Sequence, residues 1–144
     1  MTQQPPLEKD SVARTLEVIG DRWTFLILRE AFFGVQRYDQ MQANLGIATN
    51  ILAQRLKKLT TDGVFRRETD PEDGRRRIYR LTEKGRDLYG VCLSLLAWGD
   101  RWLADADGPP LTLIHKTCGA VTHPYVACSA CGKPLRPREV DYRL

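Results

Sequence analysis

LGIATNILAQRLKKLTTDGVFRRETDPEDGRRRIYRL, residues 45–81, is the stretch on which the fold of this chain turns. After a turn of small residues, Leu52, Leu56 and Leu59 recur at i, i+4 and i+7. This spacing predicts a helix from about Thr49 to Asp62 with all three leucines on one face. At roughly 100° per residue, the opposite face carries Asn50, Gln54, Lys57 and Lys58, flanked by Arg55 and Ile51. One face is apolar enough to dock on a core; the other holds amide and cationic groups suited to base edges and phosphates. Asp62-Gly63 stops the helix. Val64–Thr69 and Arg77–Leu81 then read as strands joined by the turn-rich Asp70-Pro71-Glu72-Asp73-Gly74, and Arg75-Arg76-Arg77 leads into the return strand.

An amphipathic helix with a solvated basic face beside a surface hairpin would account for these residues without any ligand. Cations on both the helix and the hairpin tip, with a further short helix before the turn, favour a winged helix-turn-helix. That upstream helix is expected over Tyr38–Asn44, with Tyr38, Met41 and Leu45 facing inward and Gly46 permitting the tight turn. Ala48 is a poor cap, which leaves Thr49 to serve. Further back, Ser11 is expected to cap a helix with Val12, Leu16 and Ile19 on one face, ending at Gly20. Asp21 caps a second helix, Trp23 to Phe33, apolar almost all round and therefore expected at the centre of the core. Residues 1–10, with Gln3-Gln4-Pro5-Pro6, read as a flexible N-terminus.

Past the hairpin, Thr82 caps a last long helix running to about Ala104. Leu88, Cys92, Leu95 and Trp102 form one stripe, widened by Val91, Leu96 and Trp98. So much apolar surface needs more cover than one small core supplies. The expected cover is a second copy of the chain, with Val12, Leu16, Leu88, Cys92, Leu95, Trp98 and Trp102 forming an isologous contact. Residues 11–104 thus read as one winged helix-turn-helix domain with dimerisation helices, and 105–111, beginning Asp105-Ala106-Asp107-Gly108-Pro109-Pro110, as a linker.

Composition changes abruptly after the linker. In residues 112–144, His115-Lys116-Thr117-Cys118-Gly119 is matched by Cys128-Ser129-Ala130-Cys131-Gly132. Each unit offers two metal donors separated by two residues and followed by glycine, the pattern of a zinc knuckle. His115, Cys118, Cys128 and Cys131 would close a structural zinc site with no open position, making a small β zinc-ribbon-like extension. Reduced thiols without metal, or a thiol switch, are the alternatives. His123 fits neither half. The fold class is therefore mainly α with a small β-hairpin wing, plus this extension.

The 144 residues carry 22 Lys+Arg against 18 Asp+Glu, a net charge of +4 that mildly favours a polyanionic partner. The N-terminus lacks an apolar core or cleavage pattern, and no run is long enough to span a bilayer, so the cytoplasm is the expected compartment and no membrane partner is expected. Four cysteines there suggest reduced thiols or metal rather than disulfides. No catalytic set is visible: the chain has no phosphate loop, no nucleophile elbow and no clustered acids, so it is not expected to be an enzyme.

SVARTLEVIGDRWTFLILREAFFG, RYDQMQANLGIATNILAQRLKKLTTDG, RRRIYRLTEKGRDL and Trp98-Gly99, in this order and spacing, resemble the HxlR family of bacterial winged-helix transcription regulators, relatives of the MarR group. The resemblance covers residues 11 to 104 and implies a homodimer on an inverted-repeat operator in double-stranded DNA. The helix around Asn50 would enter the major groove and the hairpin tip the flanking minor groove. Thr49, Asn50, Gln54 and Arg55 would read bases or grip phosphates, Lys57 and Lys58 contact backbone, and Arg75, Arg76 and Arg77 serve the wing. A small-molecule effector would find a pocket between the dimer helix and the DNA-binding body. Some members sense electrophiles through a cysteine near the N-terminus; here Ser11 stands in that neighbourhood, and Cys92 is the first cysteine. The competing function is a winged-helix module that binds protein or RNA without operator specificity.

Overall fold

The computed structural model describes residues 6–143. The chain divides into two compact units, with the break between Tyr89 and Gly90. The expected linker at 105–111 therefore lies inside the second unit, and most of the last helix goes with the tail.

The first unit opens with a 3-10 turn, Leu7–Lys9, followed by α1 (Ser11–Ile19), α2 (Arg22–Phe32), α3 (Tyr38–Leu45), α4 (Thr49–Thr61), β1 (Phe65–Thr69), β2 (Arg77–Leu81) and α5 (Glu83–Arg86). The expectation of a loose N-terminus falls in part on residues 1–5, outside the described residues. Strands β1 and β2 pair antiparallel, from Phe65 opposite Leu81 to Thr69 opposite Arg77. The segment before α3 adds to the edge of β2: Arg37 bridges Ile78, and the Tyr79 N–H donates to the Gln36 carbonyl at 2.8 Å. The hairpin is thus tied to the helix that precedes the turn.

The core follows the leucine register. Leu52, Leu56 and Leu59 are fully buried, together with Ile27, Leu28 and Met41, and Ile19, Ile47, Val64, Phe65 and Ile78 complete it. Burying each large side chain contributes roughly 1.5–3 kcal/mol, which fixes α4 on α2 and β1 far more firmly than helix propensity could. Gly46 ends α3 at φ 61° and ψ 26°, the left-handed turn required between α3 and α4.

Several expectations are corrected. The cap of α1 is Asp10, whose carboxylate accepts the Ala13 N–H at 2.8 Å, while Ser11 is already helical. Ala48 occupies the cap position of α4 without a side-chain bond, and Thr49 is the first helical residue. Helix α2 is not buried all round: Trp23, Phe25, Leu26 and Phe32 are half-buried, and Phe33, just past its end, is 59% exposed.

The last helix is broken as well. Thr82 does cap, accepting the Gly85 N–H at 3.1 Å. However, α5 ends at Arg86, and α6 (Tyr89–Trp102) begins after a tight turn in which the Leu88 N–H reaches back only to the Gly85 carbonyl. The apolar stripe starts at Leu88, inside this turn, and α5 carries no large apolar side chain whose phase would reveal the break.

The second unit holds the rest of α6 and an irregular tail with two isolated bridges, Ile114 to Val121 and Ala127 to Pro134. It has no buried hydrophobic side chain among the described residues. No helix of the described residues is long and apolar enough to cross a membrane.

Candidate nucleic-acid interface

Position and electrostatics at α4 start from α2 and α3. The Tyr38 hydroxyl donates to the Thr49 carbonyl at 2.6 Å, pinning the first turn of α4 to α3. The Asn44 amide donates to buried Glu30 at 2.7 Å, so the end of α3 is held on α2. With the leucine face docked, Thr49, Asn50, Gln54, Lys57 and Lys58 all project into solvent. Lys58 pairs with Asp62 at 2.5 Å, whereas Lys57 has no ion-pair partner among the described residues.

Arg55 behaves differently from the expectation that it faces DNA. It is half-buried, and its Nε lies 3.1 Å from the Asp21 carboxylate. Asp21 also caps α2, accepting the N–H groups of Trp23 and Thr24 and the Thr24 hydroxyl at 2.6 Å. Burial works to raise the pKa of Asp21, but the hydroxyl and backbone bonds from Thr24 and the Arg55 charge outweigh it and hold the carboxyl below its usual value. Arg55 therefore joins α4 to α2.

The wing is fastened through the loop that joins its strands. Arg37 reaches Asp70 at 2.8 Å and Glu72 at 2.9 Å. Asp70 is buried, and the Glu72 N–H, working against burial and together with Arg37, holds its carboxyl below the usual range. On one face of the hairpin Arg66 and Arg80 share the carboxylate of Glu68, which offsets one of their two charges. At the tip, Arg76 pairs with Asp73 at 3.2 Å and lies 3.7 Å from Asp39, and Arg77 donates to the Thr69 hydroxyl. The Arg75 guanidinium has no ion-pair partner among the described residues.

Sequence reasoning passed over one feature. A shallow groove of about 460 Å³ is lined by Arg37, Tyr38, Asp39, Arg67, Arg76, Arg77 and Tyr79. Arg67 stands opposite Tyr79 in the ladder, and Arg77 is two residues before Tyr79 on the same face. Strand alternation combined with the hairpin register would have placed these three together. The groove offers guanidinium and phenol donors of the kind that grip a phosphate.

The expected dimer residues are disposed as follows. Val12 and Leu16 are exposed on α1; Leu95, Trp98 and Trp102 are exposed on α6; Leu88 and Cys92 are half-buried. Burial pushes the Cys92 thiol up, away from reactivity. No residue of α6 is buried. In the tail, Cys118 Sγ lies 3.5 Å from His115 Nδ1. The backbone N–H groups of Cys131 and Ala130 and the Cys131 thiol lower the pKa of Cys128. All four cysteines are free, and no group of three or more His, Cys, Asp or Glu is gathered to hold a metal among the described residues. The four expected zinc donors thus stand as two pairs.

A family model described as HxlR-like helix-turn-helix matches residues 18–107. An uncharacterised HTH-type transcriptional regulator of Mycobacterium tuberculosis is 47% identical over 133 residues, covering 92% of this chain and 84% of that protein. Among solved structures, PA1607, described as a candidate transcription factor, superposes with a TM-score of 0.84 at 35% identity, covering 94% of both chains. The redox regulator HypR in its reduced form gives 0.59 at 29% identity, covering 64% of this chain and 92% of that one.

Proposed function

Because the chain belongs to the HxlR-like helix-turn-helix family, whose members matched here are transcriptional regulators rather than enzymes, we propose that it controls transcription as a homodimer bound to an inverted-repeat operator in double-stranded DNA. The observation that carries this reading is the exposed face of α4: Asn50, Gln54, Lys57 and Lys58 stand in solvent opposite three fully buried leucines, and Thr49 is exposed in the first turn. Asn50 and Gln54 have the paired donor and acceptor that recognises adenine in the major groove. Lys57 and Lys58 lie where phosphates flank that groove. Arg75, with Arg76, Arg77 and the groove around Arg67 and Tyr79, serves the adjoining backbone and minor groove.

Arg55 is assigned a supporting role through Asp21. The exposed apolar side chains of α1 and α6 support the second copy. For a two-fold symmetric dimer the half-sites would form an inverted repeat, centred one helical turn or a multiple of it apart.

Selection of bound fragments from a random duplex library tests the reading. Recovery of a palindromic consensus is expected. Binding without sequence preference at physiological salt would overturn it and favour the interaction-module alternative.

A further inference from the structure

The two Cys-containing units of the tail are the same structure built twice. Shifted by thirteen residues, His115 superposes in sequence on Cys128, Cys118 on Cys131 and Gly119 on Gly132. The backbone repeats with the same offset. His115 N–H donates to the Ala120 carbonyl at 2.9 Å, and Cys128 N–H to the Lys133 carbonyl at 2.8 Å. Gly119 N–H donates to the His115 carbonyl at 2.7 Å, and Gly132 N–H to the Cys128 carbonyl at 2.8 Å. Thr122 donates to Leu113 as Leu135 donates to Val126, and the bridges Ile114–Val121 and Ala127–Pro134 fall at matching positions. Both glycines sit in the left-handed region, at φ 72° and 74°. There a side chain would be strained, and the chain can turn back past its two donors.

Such a pair of turns is costly without something to hold. Ile114, Val121, Tyr125, Val126 and Leu135 are between 44% and 67% exposed, so the hairpins have no core of their own. Two short hairpins with one bridge each are marginal in water. The separation within the first pair is informative. A tetrahedral zinc with a Zn–S bond of about 2.3 Å and a Zn–N bond of about 2.0–2.1 Å places sulfur and nitrogen about 3.5 Å apart. Cys118 Sγ and His115 Nδ1 are 3.5 Å apart. We propose that His115, Cys118, Cys128 and Cys131 bind one structural zinc ion, which joins the two hairpins into a ribbon.

The pairs are not gathered into one donor set in this structure. Binding must therefore draw one hairpin onto the other, and no buried side chain opposes that movement. Three thiolates and one imidazole satisfy a tetrahedral ion completely, which leaves no position for a water and no hydrolytic chemistry. The same donors suit zinc better than magnesium or calcium, which take oxygen.

The test uses the full chain purified without added metal or chelator. Elemental analysis is expected to find close to one zinc per chain. A thiol reagent should react slowly with Cys118, Cys128 and Cys131 until a strong chelator is added, after which three more thiols per chain become reactive. The zinc-free protein reconstituted with cobalt should show the visible bands of a tetrahedral site and sulfur-to-metal charge transfer. Cys118→Ser and Cys128→Ser should each weaken that charge transfer by about a third and lower zinc content, whereas His123→Ala leaves both unchanged. Loss of folding in a variant would also lower metal content, so the wild-type thiol protection is the independent readout. Iron in place of zinc, immediate reaction of all three tail thiols in the protein as purified, or a zinc content unaffected by Cys118→Ser would each overturn the proposal.

Discussion

Asp21 shows how much one side chain can carry. It caps α2 and holds Arg55 of α4, and its carboxyl titrates below its usual value of 3.8. A group whose folded pKa is depressed contributes stability above its unfolded pKa and loses it as pH falls through the folded value. The contribution of Asp21 is therefore intact at neutral pH and disappears only below about pH 4. Asp21→Ala should lower stability by about 1 kcal/mol at pH 7. In urea denaturation, that difference from wild type should shrink once the pH falls well below 4. A difference of the same size at pH 7 and under strong acid would argue against this role. Gly85 acts by shape alone. A Cβ there would lie 2.2 Å from the Val64 carbonyl oxygen, which is backbone and cannot step aside. Gly85→Ala should cost about 1–3 kcal/mol, measured by the same unfolding curves.

At the scale of the element, the helix register was legible and several ends were not. Three leucines in phase were enough to place α4, because a fully apolar stripe has only one place to go. Capping residues were harder to identify: at Asp10-Ser11 two residues can both cap, and only the geometry chooses the carboxylate. The break between α5 and α6 was invisible for the opposite reason, since α5 has no large apolar side chain whose phase could be set against that of Leu88, Cys92 and Leu95. Partnering of charge was also out of reach. The run of cations through the hairpin looked uniform, yet Arg66 and Arg80 are held by the one carboxylate of Glu68 and Arg55 by Asp21. What separates them from Lys57 and Arg75 is tertiary position. This difference gives a prediction. Lys57→Ala and Arg75→Ala should each make the dependence of log K on log salt shallower by about 0.9 per contact, nearly 2 for a dimer that carries each change twice. Arg80→Ala should leave the slope close to wild type. Titrations of one operator duplex across a salt series measure these slopes, and an equal effect of all three would contradict this division.

For the whole molecule, the apolar surface decides. Val12, Leu16, Leu95, Trp98 and Trp102 are each about half or more exposed, and α6 buries none of its side chains. Scattered exposed apolar residues are ordinary, but Val91, Leu95, Trp98 and Trp102 exposed along one 14-residue helix exceed that background. Trp98→Glu should convert a dimer to a monomer in sedimentation equilibrium, with operator affinity falling by more than tenfold because one half-site no longer aids the other. A wild-type chain that sediments as a monomer at micromolar concentration would remove the two-fold operator from the reading. The sequence disclosed this surface because a period of 3.6 residues is visible without coordinates. It could not disclose which unit α6 belongs to, since the division after Tyr89 depends on packing rather than on composition.

The salt bridges of Arg37 to Asp70 and Glu72 join the loop end of the wing to the start of α3. On the proposed reading, in which α4 reads the duplex, a hairpin anchored there works like the fixed jaw of a caliper: its reach from that helix is set before any duplex arrives. Little freedom remains to be lost on docking, so the ordering cost that mobile arms incur at that moment has already been met in folding. Operators whose backbone departs from that preset gauge would then have to bend to meet the protein, which makes duplex stiffness part of what it selects.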